Sequence, residues 1–241
     1  MKKIFILLAV VLPSFTFTAC SGEEGDELPI NNCPPKGVEA VDLGLSVKWA
    51  DMNVGASSSE EAGAYFAWGE IKPKKEYVLD NYKYYRYDQD QANILFGGNT
   101  NRYTKYCTNS FYGYKGFTDN KTTLDPSDDA ATVNWGSGWR MPTIKELREL
   151  QHAWSWKWCT QNMVDGYMVT GPNGNSIFLP TTGYYDRNTL ERSSSGFYWS
   201  SSLTEGEEGT RFALNITFGD GVVLGDGSYR YIGYCIRPVC Q

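Results

Sequence analysis

Histidine is nearly absent from this chain, and so are the sequence patterns on which most enzymes depend. The single imidazole, His152, falls on a predicted helix, where a surface position is a commoner role than a catalytic one. No nucleophile elbow, phosphate-binding loop or cysteine–histidine spacing suited to zinc is present. The sequence therefore favours a binding or structural protein over an enzyme.

Positive charge is also scarce. The chain has 22 basic residues against 28 acidic ones, a net charge of −6. Without residues 1–19, which hold two of the lysines, 20 basic residues face 28 acidic ones and the net charge is −8. A surface that binds nucleic acid or anionic lipid headgroups needs an excess of positive charge. The charge balance therefore argues against both partners.

Only the first residues form a long hydrophobic run. Two lysines precede an apolar stretch over residues 4–12, which is too short to cross a bilayer, and residues 17–20 place small side chains before a cysteine. This order predicts a signal peptide over residues 1–19 and lipidation of Cys20. An ordinary secretory signal with an incidental cysteine is the alternative. No second hydrophobic span follows, so we expect membrane attachment through the lipid alone, at about 0.8 kcal/mol per buried methylene.

The segment after the cysteine, residues 20–37, is predicted to be a flexible tether. Residues 21–27 combine glycine with like charge and little hydrophobicity, which is typical of a disordered linker. Their acidic side chains also resemble the surface-export signal of Bacteroidetes lipoproteins. That resemblance implies the outer face of the outer membrane, whereas a solvated spacer is the alternative. Residues 38–241 then form one predicted domain.

Stretches of helix-forming residues are few, whereas aromatic residues make up 15% of the chain and glycines number 25. This composition favours short strands joined by turns. One helix is predicted over residues 144–154, because Thr143 and Glu146 form a capping box before an apolar stripe that includes Trp154. Strands are predicted at 38–49, 64–68, 176–181, 196–201, 211–218, 222–224 and 229–239, with a hairpin turn at 220–221. The fold class is therefore α+β, with a long loop region over residues 70–134.

Cysteines are odd in number once Cys20 is lipidated. Those left are Cys33, Cys107, Cys159, Cys235 and Cys240. At least one thiol is then free or pairs between chains, and the spacing leaves the connectivity open.

The acidic residues of the long loop are candidate calcium ligands. Asp125, Asp128 and Asp129, with Asp119, place hard oxygen ligands of the kind that calcium prefers in one segment. No calcium-loop motif with a closing glutamate is present, and the favoured interpretation is that Asp128 and Asp129 cap the short turn before Val133 or are solvated. No other cofactor is expected.

The same loop is rich in tyrosine interleaved with asparagine, aspartate and glycine. Flat rings beside hydrogen-bonding side chains suit sugars, and they also suit protein interfaces. Tyr84, Tyr85, Tyr112 and Tyr114 are therefore the predicted ligand-binding residues, and the acidic turn at 205–208 is the second candidate surface. The alternative is that the rings pin the loop onto the domain. The tryptophans at 49, 68, 135, 139 and 199 are expected to lie mostly in the core.

A series of short motifs runs in order along residues 38–239. They lie at 41–50, 53–56, 65–70, 128–131, 135–143, 177–180, 183–184, 198–202 and 237–239. Together these motifs resemble the Fibrobacter succinogenes major paralogous domain family of Bacteroidetes lipoproteins. The resemblance implies a C-type-lectin-like fold shared with formylglycine-generating enzymes, whose Trp-Arg-Leu-Pro-Thr element is similar to residues 139–143.

The resemblance also implies a metal site, because formylglycine-generating enzymes bind copper through two cysteines spaced like Cys235 and Cys240. Thiolates suit Cu(I). Along a strand, however, these two residues would stand about 13 Å or more apart at ~3.3 Å per residue, so a bend would be needed. Structural cysteines are favoured.

The function expected from these observations is that of a cell-surface lipoprotein that acts as a binding or adhesion module for a glycan or a protein ligand. An oxidative enzyme related to formylglycine-generating enzymes is the alternative. A structural subunit of the envelope is the third.

Overall fold

The computed structural model describes residues 37–87, 101–206, 208–219 and 222–241. The predicted signal peptide, the lipidation site Cys20 and almost all of the tether, with Cys33, lie outside the described residues, and so does the predicted hairpin turn at Asp220 and Gly221. Within the described ranges, no helix is both long and apolar enough to cross a membrane.

Short antiparallel strands dominate the described residues, and two α-helices accompany them, which confirms the α+β class. The helices are α1 (Ala130–Trp135) and α2 (Ile144–Gln151). The strands are β1 (Ala40–Val41), β2 (Lys48–Ala50), β3 (Tyr85–Tyr87), β4 (Asn101–Tyr103), β5 (Ser155–Gln161), β6 (Val164–Thr170), β7 (Ser176–Pro180), β8 (Tyr184–Asp186), β9 (Thr189–Glu191), β10 (Gly196–Leu203), β11 (Phe212–Phe218), β12 (Val222–Tyr229) and β13 (Val239–Cys240). Single 3-10 turns lie at Leu79–Asn81, Tyr114–Gly116, Pro126–Asp128 and Gly209–Arg211.

The strands form small sheets. Three sheets are three-stranded, in the orders β1-β2-β13, β5-β6-β7 and β10-β11-β12, and two are pairs, β3-β4 and β8-β9. The first sheet joins the start of the described chain to its end, because Val239 pairs with Trp49. Helix α2 packs on β10, β11 and β12 and buries Leu147 and Leu150 there.

Helix α2 begins where the sequence predicts. The Thr143 hydroxyl accepts from the Glu146 N–H, and the Glu146 carboxylate accepts from the Thr143 N–H at 2.8 Å, so the capping box is present. The helix ends at Gln151 rather than residue 154, with His152 as its C-cap. The inclusion of Trp154 in the buried stripe is therefore wrong: it lies between α2 and β5 and is 75% exposed.

The predicted strand over residues 229–239 is wrong for most of its length. Residues 230–238 instead run between two parts of the molecule and hydrogen-bond to each in turn. The Trp68 N–H donates to the Arg230 carbonyl and the Trp199 N–H donates to the Cys235 carbonyl. Burial on both sides keeps this segment from alternating as a one-sided strand does.

The β5–β6 hairpin has no counterpart among the predicted strands. Its two-residue turn, Asn162 and Met163, has φ angles of 48° and 66°, values that such turns usually take with glycine. The sequence therefore lacks the expected turn signal at that point.

Two hydrophobic clusters make up the core. One gathers around α2, β6, β7, β10 and β11, and the other is built largely by the loop region before α1. The expected core tryptophans Trp49, Trp68, Trp135 and Trp199 are all buried, and Trp139 is half-buried.

Candidate functional site

The structure places three of the four predicted ligand-binding tyrosines inside the molecule. Tyr84 and Tyr85 are 5% exposed and Tyr112 is 7% exposed, while Tyr114 is half-buried. The expectation of exposed rings at these positions is therefore wrong for Tyr84, Tyr85 and Tyr112. A ligand has no access to the faces of these rings without a local rearrangement.

Tyr84 is buried because it belongs to a set of rings that encloses an arginine. Arg230 is 0% exposed, and its guanidinium lies within cation–π distance of an aromatic cage. The cage consists of Tyr103 (4.6 Å), Trp68 (5.0 Å), Tyr82 (5.3 Å), Tyr84 (5.9 Å) and Tyr106 (5.9 Å), measured to the ring centroids. Desolvation strengthens such contacts. The polar, aromatic composition of the loop thus serves an internal cation.

Hydrogen bonds complete the surroundings of Arg230. Its Nε donates to the Tyr82 hydroxyl at 3.0 Å, and its Nη atoms donate to three main-chain carbonyls. These belong to Tyr106 (3.2 Å), Thr210 (3.0 Å) and Lys105 (3.1 Å). Because the carbonyls lie on separate segments, one side chain holds the loop and the 209–211 turn together.

Two local features fit the backbone to the cage. Tyr106 adopts φ 55°, an unusual value for a residue with a side chain, and Asp119 accepts hydrogen bonds from the Tyr106 and Cys107 N–H groups at 2.8 Å each. Gly69 lies against the Tyr84 ring with φ +79°, and a Cβ added there would meet the ring at 2.8 Å. Glycine is therefore required at that contact.

The candidate calcium ligands are occupied by other groups. Asp128 is 5% exposed and receives hydrogen bonds from Lys83 (2.9 Å), Lys105 (2.5 Å) and Tyr106 (2.6 Å). Burial by itself would raise the pKa of Asp128, but these donors and the Tyr84 hydroxyl together hold that pKa well below its usual range. Asp125 pairs with Lys105, and its pKa is lowered by hydrogen bonds from that lysine and from Lys121.

Asp129 has a different role. Its carboxylate accepts from the Thr132 N–H, which caps α1 as expected, and from the Met141 N–H at 2.8 Å. Burial raises its pKa, against the effect of these backbone donors. Asp128, by contrast, does not cap α1. No group of three or more histidine, cysteine or acidic side chains arranged to hold a metal ion occurs among the described residues.

The segment 139–143 forms a structural junction. Arg140 makes a two-pronged pair with Glu146, at 2.8 Å and 2.5 Å, beside the Asp129–Met141 bond and the Thr143 cap. The Arg140 guanidinium and the Met141 N–H are therefore already paired with acceptors inside the protein.

The two C-terminal cysteines are free thiols, as are Cys107 and Cys159. Cys235 is fully buried, and burial raises the pKa of its thiol to about 12. Cys240 is half-buried, and burial raises its pKa as well. A thiolate that would ligate copper is therefore disfavoured at Cys235. His152 is exposed at the end of α2.

A polar groove lies outside the cage. It consists of an outer cavity of about 720 Å³ and an inner cavity of about 430 Å³ that share Thr122, Thr204 and Glu205. The outer cavity is lined by Thr108, Asn109, Ser110, Thr118, Asn120, Thr122, Thr204, Glu205 and Gly206. The inner cavity adds Thr123, Ile144, Arg148, Ser202, Leu203, Leu214 and Gly225. Most residues that line the outer cavity carry a hydroxyl or an amide group.

A partly exposed arginine–aromatic surface adjoins the groove. The Arg211 guanidinium lies over the rings of Phe212 (5.3 Å), Tyr229 (5.6 Å) and Tyr112 (5.7 Å). Phe111 contacts Tyr112, and Tyr231 stacks on Tyr229. Phe111 directly follows Ser110 of the groove, and the Thr108 N–H donates to the Thr210 hydroxyl, next to Arg211. We call Phe111, Tyr112, Arg211, Phe212, Tyr229 and Tyr231 the arginine–aromatic surface.

Two unsatisfied buried polar atoms lie in the groove and the adjoining surface. Among the described residues, the buried side-chain atoms without a hydrogen-bond partner are Trp49 Nε1, Thr204 Oγ1, Arg211 Nε and Arg237 Nη2. Thr204 lines the groove and Arg211 belongs to the adjoining surface. Unpaired buried groups are rare in native proteins and often mark functional sites.

Sequence reasoning missed most of this site. Phe111, Arg211 and Tyr229 were not singled out, because aromatic content alone does not separate exposed rings from buried ones. The loop region, with Tyr112, and the acidic turn at 205–208 were the signals that pointed there, since both line the groove and Glu208 pairs with Arg211.

Comparison of the chain with family models, with curated proteins and with solved structures returns no match.

Proposed function

We propose that this chain is a cell-surface lipoprotein, anchored in the outer membrane through Cys20 and facing the cell exterior, whose folded domain binds glycans. The domain is proposed to be C-type-lectin-like and to belong to the lipoprotein family that its motifs resemble. Small antiparallel sheets with two helices are compatible with that assignment.

The observation that carries the glycan proposal is the contact between the polar groove and the arginine–aromatic surface. Sugars present hydroxyl groups at their rim and apolar C–H groups on their faces. Hydroxyls and amides, such as those of Ser110, Thr118 and Asn120, pair with the rim, and exposed rings stack on the faces. Phe111 is 57% exposed, so its ring is accessible to a sugar, whereas Tyr229 is 39% exposed with Tyr231 stacked on it and Arg211 over its ring.

The loop of residues 70–134 is still proposed to form the ligand-binding surface, but through other residues than the predicted tyrosines. It supplies the groove positions 108–110, 118, 120 and 122, while the rings at 84, 85 and 112 support the groove from inside. Calcium is not required by this proposal, because Asp125, Asp128 and Asp129 already have partners.

The binding proposal is tested with the mature chain in which Ala replaces Cys20, applied to a glycan array. A Thr118→Trp variant fills the outer groove and should abolish binding, whereas Thr189→Trp, an equally exposed threonine on β9, should leave binding unchanged. Binding should also persist in EDTA. A chain that binds no glycan, or a Thr118→Trp variant that binds like the parent, would refute the proposal.

The anchor is tested separately. Cys20→Ala removes the thiol that receives the lipid, so the variant should move from the detergent phase to the aqueous phase in a detergent partition. Equal partition of variant and parent would exclude lipidation at Cys20.

A further inference from the structure

Arg211 is the cation at the centre of the arginine–aromatic surface. Its side chain is 20% exposed, and it lies between Phe212, Tyr229 and Tyr112 at 5.3–5.7 Å from their ring centroids. The rings fix the plane of the guanidinium and leave its Nη edge toward Glu208. A guanidinium held in this way presents a fork suited to a carboxylate.

The present partners of Arg211 are weak. Nη1 donates to Glu208 at 3.2 Å and Nη2 to the Tyr229 hydroxyl at 3.4 Å, while Nε has no partner. Arg140 and Glu146 show the contrast, since they form a two-pronged pair at 2.8 Å and 2.5 Å. Glu208 is 63% exposed, and exposed ion pairs contribute little. A ligand carboxylate would displace Glu208 at small cost.

We propose that the arginine–aromatic surface recognises an acidic sugar, a uronic acid unit whose carboxylate takes the place of Glu208 on Arg211. This inference rests on the proposed glycan-binding function and names its ligand class. The sugar ring packs on Phe111, and the neighbouring units place their hydroxyls in the polar groove.

The surroundings favour a sugar acid over an acidic peptide or a dense polyanion. Glu205 lines the groove, and the chain without residues 1–19 has 20 basic against 28 acidic residues, so closely spaced negative charges would be repelled. Arg148, the cation of the inner cavity, lies beyond Glu205 on the groove lining. One carboxylate among many hydroxyls matches this lining.

The experiment compares polygalacturonate that is methyl-esterified on most of its units, so that its free carboxylates are widely spaced (the acid form), with the fully methyl-esterified polymer (the ester), which has the same backbone without the charge. The probe protein is the mature chain with Ala in place of Cys20. The parent should bind the acid form at least tenfold more tightly, and this preference should fall as salt rises. Arg211→Met should remove the preference, and Glu208→Gln should strengthen acid binding a few-fold because it removes the competing carboxylate.

Matched controls are Arg192→Met and Glu191→Gln, an exposed pair of residues at the end of β9. Both should bind like the parent, and Arg211→Lys, which keeps the charge but loses the fork, should lie between parent and Arg211→Met. All variants should melt at nearly the same temperature, which separates recognition from folding.

The outcomes separate the two proposals. Equal binding of acid and ester, unchanged by Arg211→Met, would overturn the acidic-sugar inference and leave glycan binding standing. Binding of neither polymer, together with no binding on the glycan array, would overturn both. Binding of poly-glutamate in place of polygalacturonate would show that the ligand is an acidic peptide and refute the sugar.

Discussion

The aromatic cage and the polar groove are built by the same loop region, yet they use their side chains in opposite ways. In the cage, rings point inward around Arg230, and the arginine donates to four acceptors. In the groove, Ser110, Thr118 and Asn120 are exposed, whereas Thr204 Oγ1 is buried without a partner. The cage therefore has the character of a structural element, whereas the groove retains hydrogen-bonding capacity for a ligand.

Arg211 and Arg230 sharpen this contrast because both lie among tyrosine rings. Arg230 is fully buried and reaches main-chain carbonyls on two segments, whereas Arg211 is partly exposed and holds an exposed glutamate. The same residue types thus stabilise the loop in one place and present a cation in the other.

Removing an aromatic ring of the cage should have the largest effect on the free energy of unfolding. Tyr84→Ala removes a ring that is 5% exposed, and we expect a loss of about 3–5 kcal/mol in the free energy of unfolding. Phe111→Ala, at a ring that is 57% exposed, should cost less than about 0.5 kcal/mol. Urea denaturation of both variants measures the difference. Equal losses would mean that the two rings do not differ in burial.

Replacing Arg230, the cation inside the aromatic cage, should have the second-largest effect on the free energy of unfolding. Arg230→Met leaves four buried acceptors without their donor, and we expect a loss of about 3 kcal/mol, since the desolvation cost of the charge is removed at the same time. Arg211→Met should cost less than about 1 kcal/mol because its ion pair is exposed. A stable Arg230→Met protein would show that the cage packs without its cation.

Lowering the pH should destabilise the folded loop region, because Asp128 then becomes protonated. Its pKa is lowered in the folded state, so the stability it contributes is present above the unfolded pKa of about 3.9 and is lost as pH falls toward the folded value. Asp128→Asn should lower stability at neutral pH by about 1–3 kcal/mol and flatten the decline below pH 4.

Asp125→Asn is the control for this pH dependence, because Asp125 has the same direction of pKa shift but is 32% exposed. It should change the acid limb less than Asp128→Asn does. Asp129, whose pKa is raised by burial, acts in the opposite direction. An unchanged acid limb in Asp128→Asn would assign the acid sensitivity to other groups.

The smallest effect is expected in the groove. Thr204→Val keeps the shape of the side chain and removes a hydroxyl that has no partner, so stability should stay the same or rise by up to about 1 kcal/mol. Thermal unfolding tests this, and a clear loss of stability would show that the hydroxyl is already paired.

Local signals in the sequence predicted the elements whose structure depends on neighbouring residues. The start of α2 was predictable because a threonine and a glutamate three residues apart satisfy each other's backbone donors. Strands β7, β10 and β11 were predictable from their apolar runs. The segment 230–238 and the β5–β6 turn were not, since a two-sided environment governs the first and a left-handed Asn-Met pair the second.

The candidate site shows the same division. The loop region and the acidic turn at 205–208 were identified as candidate surfaces from composition, and both line the groove. The individual rings were not identified correctly, because Tyr84 is buried by contacts with distant residues such as Arg230, while Phe111 lies beside Arg102 and stays exposed.

The sequence by itself determined the α+β class, the capped start of α2 and the burial of Trp49, Trp68, Trp135 and Trp199, since each follows from neighbouring residues or from hydrophobicity. Only the tertiary structure decided which aromatic residues face solvent and which carboxylates are already paired. Arg230 reaches the loop across the fold, and Lys83 and Lys105 meet Asp128 from different segments. Long-range partners of this kind leave no periodicity in the sequence, because their spacing along the chain is arbitrary while their contact in space is close.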